Sequence, residues 1–226
     1  MRNRCTLANR MGFFVALAAM VALSVLADNR TDDLISEKRS EEPWTKEPST
    51  YRDVPFGAPE GDVIAKLGKL KCRAYSQPFA HRSCTLADKT RRLRIGDAVM
   101  SESFDFLNGK LEQIEIRDGS SSGWSIPAYA GFSITRDAFV ERYGAPTLDQ
   151  TFRVKGSRTI KNRSGGVLGV EPYEFKRSML TWEGRNLQVV VGGSIDGDAL
   201  YVARILTTAW TDATNSEKKK QTVTDF

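Results

Sequence analysis

Histidine, cysteine and glycine-rich stretches are where catalytic chemistry would show in this sequence, and none of them carries a complete motif. His81 is the only histidine, and a serine or cysteine nucleophile needs a histidine base that a third group orients. It lies in the stretch Gln-Pro-Phe-Ala-His-Arg-Ser, where we expect a solvated loop side chain. The glycine-rich residues 164–169 lack the Gly-Lys-Ser/Thr ending of a phosphate loop and do not fit the dinucleotide fingerprint, so we expect a flexible turn there. The sequence therefore predicts a protein that catalyses nothing and holds no cofactor.

Charged residues offer a second kind of site, one that binds a macromolecule. One stretch is basic with no acidic residue in between: Arg153, Lys155, Arg158, Lys161 and Arg163. A second basic stretch lies at the comparable place in the first half of the chain: Lys89, Arg91, Arg92 and Arg94. Solvated loops are the common reading, but two basic loops could also grip an anionic envelope polymer, lipid headgroups or an acidic protein.

The N-terminal residues 1–27 have the layout of a secretory signal. Three arginines precede the apolar residues 12–27, which are followed at once by Asp28. The apolar run is short for a membrane span and ends in Val-Leu-Ala, a small-residue cleavage site. We expect a periplasmic or secreted protein; the alternative is an uncleaved inner-membrane anchor with a periplasmic domain. Cleavage would remove three basic residues and no acidic one, so the mature chain is nearly neutral and loses the main support for nucleic-acid binding.

Cleavage would also remove Cys5 and leave two cysteines, Cys72 and Cys84. An even pair in an exported chain predicts one disulfide that closes a short loop. A metal pair is the alternative, but two thiolates and His81 fall short of a closed tetrahedral site. We therefore predict a Cys72–Cys84 disulfide and no metal site.

Two predicted hairpins organise the rest of the chain. Asn108-Gly109 separates two alternating runs, and a three-residue or bulged turn is needed to place their apolar residues on one face: Phe104, Phe106, Ile114 and Ile116. A two-residue turn at Gly184-Arg185 does the same for the second hairpin: Leu180, Trp182, Leu187, Val189 and Val191. The opposite face of the first hairpin then carries Asp105, Gln113 and Glu115 as solvated polar residues.

The two hairpins are separated by the same number of residues as the two helices predicted before them, which end at Gly68 and Gly144. This favours an internal repeat. We expect an α+β fold of two tandem units, each a short helical segment packed on an antiparallel sheet. The predicted boundaries are a first unit at residues 51–118, a linker at 119–123 and a second unit at 124–212, with a disordered spacer at 28–50 and a disordered tail at 213–226.

The openings Phe-Gly-Ala-Pro…Lys-Leu-Gly68 and Phe-Ser-Ile-Thr…Arg-Tyr-Gly-Ala-Pro146, each followed by strands and an aromatic hairpin, carry a resemblance. They resemble the helix-and-sheet unit of the SmpA/OmlA outer-membrane assembly lipoproteins and of the tandem beta-lactamase inhibitory proteins. The resemblance covers roughly residues 51–210 and implies a non-catalytic binding protein. This chain has no cysteine after its apolar run, so the lipid anchor of the assembly lipoproteins is missing.

Together these features predict an exported, non-catalytic binding protein of the bacterial cell envelope. We expect it to recognise a protein or an anionic envelope component through a sheet face and basic loops. Membrane contact is expected only if the N-terminal segment stays uncleaved; the alternative function is lipid or small-molecule binding. The candidate partner-binding residues are Asp105, Gln113, Glu115, Arg91, Arg92, Arg158, Lys161 and Arg163.

Overall fold

The structure is a computed structural model that describes residues 31–96, 98–118, 131–161, 166–197 and 199–224. The predicted signal peptide, the predicted linker at residues 119–123 and Arg163 lie outside the described residues. Among the helices that are described, none combines the length and the apolar character that crossing a membrane requires.

Strands dominate the described part of the chain. The strands are β1 Thr31–Arg39, β2 Thr50–Tyr51, β3 Val54–Pro55, β4 Leu70–Tyr75, β5 His81–Leu86, β6 Arg94–Ile95, β7 Ala98–Leu107, β8 Lys110–Asp118, β9 Leu148–Lys161, β10 Val167–Glu183, β11 Leu187–Ser194 and β12 Ala199–Thr207. The helices are α1 Glu60–Leu67, α2 Phe132–Tyr143 and α3 Thr208–Thr224, with one 3-10 turn at Lys89–Arg91.

Ten of these strands form one antiparallel sheet in the order β1-β9-β10-β11-β12-β8-β7-β5-β4, with β6 beside β7. The prediction of two tandem α+β units is wrong. Strand β8 of the first half pairs directly with β12 of the second, with Ile114 opposite Ile205, so the two halves share one sheet and its hydrogen bonds. The protein is a mostly β structure, one large sheet with helices laid on it.

One side of the sheet, here called the core face, packs against α1 and α2. Register aligns a continuous row of apolar side chains across six strands: Trp182, Val189, Ile205, Ile114, Phe104 and Cys84. Helix α2 covers this row with Phe139 and Tyr143, whose rings lie 6.4 and 6.3 Å from that of Trp182. Each of these side chains is buried, so the main hydrophobic core lies between this face and the two helices.

The predicted helix ends follow from glycine. Gly68 and Gly144 adopt positive φ angles of 98° and 82°, which favour glycine, and each donates its N–H to the carbonyl four residues back. Helix α2 begins at Phe132, and Thr135 is fully buried inside it.

The first hairpin confirms that its four apolar residues share a face, since Phe104, Phe106, Ile114 and Ile116 are all buried in the core. The turn itself has two residues, Asn108 and Gly109, with φ angles of 52° and 77°. A β-bulge beside it restores the parity: Asp105 pairs with Gln113 but Phe106 pairs with Leu111. Glu112 is the extra residue, and it puts the odd residues of β8 opposite the odd residues of β7.

The second hairpin also has the predicted facing, with Trp182 opposite Val189 and Leu180 opposite Val191. Its two-residue turn lies one position later than expected, because Gly184 donates its N–H to the Leu187 carbonyl over 2.8 Å. Glu47 closes this turn from outside. Its carboxylate accepts the backbone N–H groups of Arg185, Asn186 and Leu187 over 2.6 to 3.0 Å.

Glu47 belongs to the segment predicted as a disordered spacer, and the structure places that segment against the sheet. Strand β1 forms one edge of the sheet and pairs with β9 along its length, with every β1 side chain exposed. Trp44 donates its indole N–H to the carbonyl of Tyr143 over 2.8 Å and packs edge-on against the Tyr143 ring. Long-range hydrogen bonds therefore hold a polar stretch that has no apolar period of its own.

The opposite side of the sheet, here called the polar face, is covered in part by α3. This helix packs against β8 and β12. Its Trp210 ring meets the rings of Phe79 and His81 at 5.0 and 5.3 Å. Residues 213–224, expected as part of a disordered tail, continue this helix.

Candidate functional site

The two cysteines are joined. Cys72 on β4 lies directly opposite Cys84 on β5, with a Cα–Cα distance of 4.0 Å, and the sulfur atoms form a disulfide. This confirms the predicted link. A carboxylate oxygen of Glu60 lies near both sulfur atoms, but bonded sulfurs offer no thiolate to a metal.

Asp105, Gln113 and Glu115 lie together on the polar face, as their numbers predict, but they are not exposed. Their residues retain 4%, 8% and 7% of their accessible surface. Asp105 accepts a hydrogen bond from the Gln113 amide over 2.6 Å. Burial raises the pKa of Asp105, although hydrogen bonds from Ser83 and Gln113 oppose that rise. The prediction of a wet, open recognition surface here is wrong, because neighbouring strands and α3 enclose these groups.

Glu115 is held by two arginines rather than by a partner molecule. It pairs across the strands with Arg204, which lies directly opposite on β12, and along its own strand with Arg117. A half-buried guanidinium beside a buried carboxylate satisfies the charge of both. This part of the face therefore holds the two halves of the sheet together.

Arg91 and Arg92 lie at the 3-10 turn and are only partly available. Arg91 donates to the carbonyl of Lys66 over 3.2 Å, and its guanidinium lies over Gly68, where a Cβ would stand 2.6 Å from Nη1. Arg92 is half-buried. The loop thus uses one of its arginines to attach to the end of α1.

Below that loop lies a buried ionic network that the sequence did not reveal. Glu102 is 2% exposed, and it accepts hydrogen bonds from the Tyr51 hydroxyl over 2.6 Å, from Arg52 over 2.9 and 3.0 Å and from the Leu93 N–H over 2.7 Å. Burial and then the Glu102 charge raise the pKa of Tyr51 well above its usual range. Four satisfied hydrogen bonds make this a structural centre, since the carboxylate is fully engaged.

His81 is not the solvated loop residue we expected. It begins β5, and its ring stacks on Tyr75 at 5.1 Å with nearly parallel planes. Phe79 and Trp210 flank it at 5.5 and 5.3 Å. An aromatic cluster of this kind packs α3 onto the sheet, and no serine or cysteine nucleophile is hydrogen-bonded to the imidazole among the described residues.

The β9–β10 hairpin extends beyond the rest of the sheet. Among the described residues, β1 pairs with β9 as far as Lys155 and β11 pairs with β10 as far as Arg177, whereas β9 and β10 pair with each other as far as Lys161 and Val167. Residues 156–161 and 167–175 therefore form a two-stranded arm, and six strand residues reach about 20 Å. We refer to this segment as the arm.

The arm has ordered side chains near its base. Tyr173 lies flat over Gly156, where a Cβ would meet the phenol oxygen at 2.5 Å, and it stacks on Phe175 at 6.0 Å. Farther out, Arg158 pairs with Glu171 over 2.7 Å. Glycine at position 156 is needed for this close approach, which stiffens the arm where it leaves the sheet.

The distal arm is apolar and exposed. Val167, Leu168 and Val170 are 66%, 68% and 66% exposed, and Ile160 is 40% exposed. Val167, Leu168 and Val170 are the most exposed large apolar residues in the described part of the chain. The sequence predicted a flexible turn at residues 164–169. The run Val-Leu-Gly-Val was the available signal, because three aliphatic residues beside a turn are unusual unless something covers them.

Basic residues accompany this apolar end. Lys155 is exposed and has no ion-pair partner among the described residues. Arg158 is neutralised by Glu171, and Lys161 ends β9. Arg163, in the sequence between the two strands, lies outside the described residues. Two of the eight candidate residues, Arg158 and Lys161, thus belong to the arm.

A cleft of about 400 Å³ lies at the end of the sheet that holds the second hairpin turn. Glu112, the bulge residue, lines it and accepts a hydrogen bond from the Thr207 hydroxyl. Glu47 lines it too, but its carboxylate closes the turn at residues 185–187. The polar groups in the cleft are therefore largely used within the protein.

Comparison with protein-family models, with curated proteins and with solved structures finds no match to this chain.

Proposed function

We propose that this chain is an exported, non-catalytic binding protein of the cell envelope that engages an anionic partner through the arm. One observation carries the proposal: the arm leaves the sheet as two strands and presents exposed aliphatic and basic residues together. A folded protein that exposes such a patch away from its core presents a surface suited to an interaction. The resemblance to the SmpA/OmlA and beta-lactamase inhibitory proteins agrees with a binding role but stays a prediction.

The other residues predicted to contact a partner support this choice, because most of them are already bonded within the protein. Asp105, Gln113 and Glu115 are buried and bonded within the sheet, so they cannot meet a large partner without unfolding. Arg91 is attached to α1. Lys155, at the base of the arm, is exposed and is not used for packing.

Export is supported by the disulfide, because such links persist in oxidising compartments. The signal-like residues 1–27 point the same way. The alternative function, lipid or small-molecule binding, has the cleft as its support among the described residues. We favour it less because Glu47 and Glu112, the charged groups that line the cleft, bind to the protein itself.

The proposal is tested by capture from a detergent-solubilised envelope extract with the mature, oxidised protein as bait. The double variant Lys155→Glu/Lys161→Glu reverses charge on the arm. Its matched control, Lys66→Glu/Lys71→Glu, reverses two exposed lysines at the far side of the sheet. We expect capture by the wild type and the control to fall at high salt, because screening weakens exposed charge interactions, and the arm variant to capture little at any salt.

Equal capture by the arm variant and the control would refute the proposed role of the arm. The control should keep the wild-type unfolding midpoint, since exposed charge changes usually alter stability by less than about 0.5 kcal/mol, and an unfolding curve for the arm variant checks that it is folded. An enzymatic role would show as turnover of a captured component, which the proposal excludes.

A further inference from the structure

We infer that strand β1 is a self-association edge, along which a second copy of this chain pairs antiparallel about a two-fold axis to give one continuous sheet. Strand β1 is an end member of the sheet, and in the described part of the chain no strand pairs with its outer edge. All nine of its residues are exposed. An open edge strand presents backbone N–H and C=O groups with which another strand can pair. This inference goes beyond the proposed function and does not depend on the arm.

The charges on β1 are ordered by sign. Asp32 and Asp33 lie near the start of the strand, and Lys38 and Arg39 lie at its end. In an antiparallel pair of two copies, the start of one strand meets the end of the other, so opposite charges face each other, which stabilises a strand pair. A parallel pair would place like charges side by side. Charged edges commonly keep copies of a protein apart, but this order of signs favours the antiparallel pair.

A β-bulge in β1 shifts the alternation of its side chains. Leu34 lies opposite Phe152 and Ser36 lies opposite Thr151, so Ile35 is an extra residue. The even residues before the bulge consequently share a face with the odd residues after it.

Ion pairs on β1 agree with this alternation. Asp32 pairs with Arg177 over 2.7 Å, and Arg39 pairs with Glu183 over 3.8 Å. Both partners are odd residues of β10, whose even residues at positions 180 and 182 face the core. Asp32 and Arg39 therefore lie together on the polar face. The same alternation places two further charged residues together on the other face, Asp33 and Lys38.

Two-fold symmetry selects the register of the two copies. An axis perpendicular to the sheet requires that one residue meet its own copy. With Ser36 on the axis, the pairs between copies are Asp32 with Arg39, Asp33 with Lys38 and Leu34 with Glu37. Moving the axis to Leu34 brings Asp32 opposite Glu37, and moving it to Glu37 brings that carboxylate opposite its copy. The register centred on the uncharged Ser36 is therefore the one that opposes unlike charges.

The test is sedimentation equilibrium of the mature, oxidised protein over a range of concentrations. The variants exchange charge at Asp33 and Lys38, which are both exposed. Asp33→Lys and Lys38→Asp each turn two opposite-charge pairs of the symmetric dimer into like-charge pairs. The double variant Asp33→Lys/Lys38→Asp restores the opposite charges in reversed order. The matched control, Lys66→Glu/Lys71→Glu, reverses two exposed lysines on α1 and on β4 at the other edge of the sheet.

We expect the wild type, the control and the double variant to form dimers whose association weakens at high salt. Each single variant should self-associate at least about tenfold more weakly than the wild type, because unlike charges opposite each other stabilise a strand pair and like charges destabilise it. An equimolar mixture of Asp33→Lys and Lys38→Asp should recover the dimer, since the mixed pair again opposes unlike charges.

A cysteine on the axis gives a second measurement. Ser36→Cys should form a disulfide between two copies under mild oxidation, because the residue meets its own copy. Glu41→Cys, an exposed residue beyond the end of the strand, should form it much less.

A protein that stays monomeric at every concentration up to its solubility limit would overturn the inference. So would self-association that the single variants leave unchanged, or one that their mixture fails to restore. Urea unfolding of each variant shows that it is folded before its association is compared. The capture experiment with Lys155 and Lys161 tests the arm separately, so either proposal can fail without the other.

Discussion

Reversing the charge of Asp105 should unfold this protein, whereas neutralising it should not. Asp105 is 4% exposed on the polar face and accepts the Gln113 amide over 2.6 Å. Asp105→Lys loses a hydrogen bond to a charged group, which contributes about 1.5–3 kcal/mol. It also leaves an unpaired charge in the interior. Removing one partner of a buried ion pair costs about 3–5 kcal/mol, and we take that value as the guide to this cost.

A total loss of at least about 4 kcal/mol is comparable with the whole stability of a domain, about 5–15 kcal/mol. Asp105→Asn keeps the shape and an oxygen that can accept the Gln113 amide. The direction of the stability change in Asp105→Asn follows from the pKa of Asp105, which burial raises in the folded state. Ionisation of such a carboxyl lowers the stability of the fold at neutral pH, so Asn at this position should be neutral or slightly stabilising at pH 7.

The assay is urea unfolding of the oxidised protein, followed by circular dichroism. At neutral pH we expect wild type and Asp105→Asn to unfold at similar midpoints, with Asp105→Lys unfolded or strongly shifted. As the pH falls from the raised pKa of Asp105 towards the unfolded value of about 3.9, the wild type should gain stability relative to Asp105→Asn, because the folded state takes up the proton more readily. Equal midpoints for the Lys and Asn variants would refute the burial of this face.

Two further predictions concern the ties that hold the chain ends and edges. Cys72→Ser/Cys84→Ser should lower the free energy of unfolding by about 3 kcal/mol on loop-entropy grounds, and non-reduced peptide mass spectrometry of the exported wild type should show the linked pair; two free thiols would contradict it. Glu47→Ala should lower it by about 1–2 kcal/mol and expose the Asn186 amide to hydrogen exchange, because three N–H groups lose a charged acceptor. The stability of Glu47→Gln should lie between those of the wild type and Glu47→Ala. Unchanged hydrogen exchange at Asn186 in Glu47→Ala would show that the turn does not need this carboxylate.

Local patterns predicted the parts of the fold that neighbours in sequence decide. Alternation and turn residues gave both hairpins, and the parity of Phe104 and Ile114 required the irregularity that Glu112 supplies. Glycine after an apolar period gave the ends of α1 and α2. The even pair of cysteines in a chain predicted to be exported gave the disulfide. Each of these features depends on interactions within one hairpin or one helix.

Long-range pairing decided the rest, and the sequence holds no local sign of it. Nothing in the residues around Ile114 or Ile205 shows that β8 and β12 pair, so two separate units were expected where one sheet exists. Helix α3 and the segment around Glu47 are polar, and polarity indicated disorder. They are ordered instead by a few distant contacts, those of Trp210, Trp44 and Glu47.

The candidate site on the polar face was predicted wrongly because these long-range contacts are not visible in the sequence. Asp105 and Glu115 alternate with buried residues, which in an antiparallel sheet usually means exposure to water. They are buried because α3 and Arg204, which lie about 90 residues or more farther along the chain, cover that face. The exposed end of the arm was hidden for the opposite reason, since glycines beside Val167 and Leu168 suggested only a turn.

Because β8 pairs with β12, the sheet cannot be completed during synthesis until β12 has been made. Hairpin β7–β8 emerges long before β12 and α3, so for that period its outer strand edge is open and its polar face is wet. Asp105, Gln113 and Glu115 keep that unfinished surface compatible with water, where apolar residues would invite aggregation. Strand β12, which follows β8 by about 80 residues, closes the sheet, and a chain truncated before β12 is left with an open strand edge at β8.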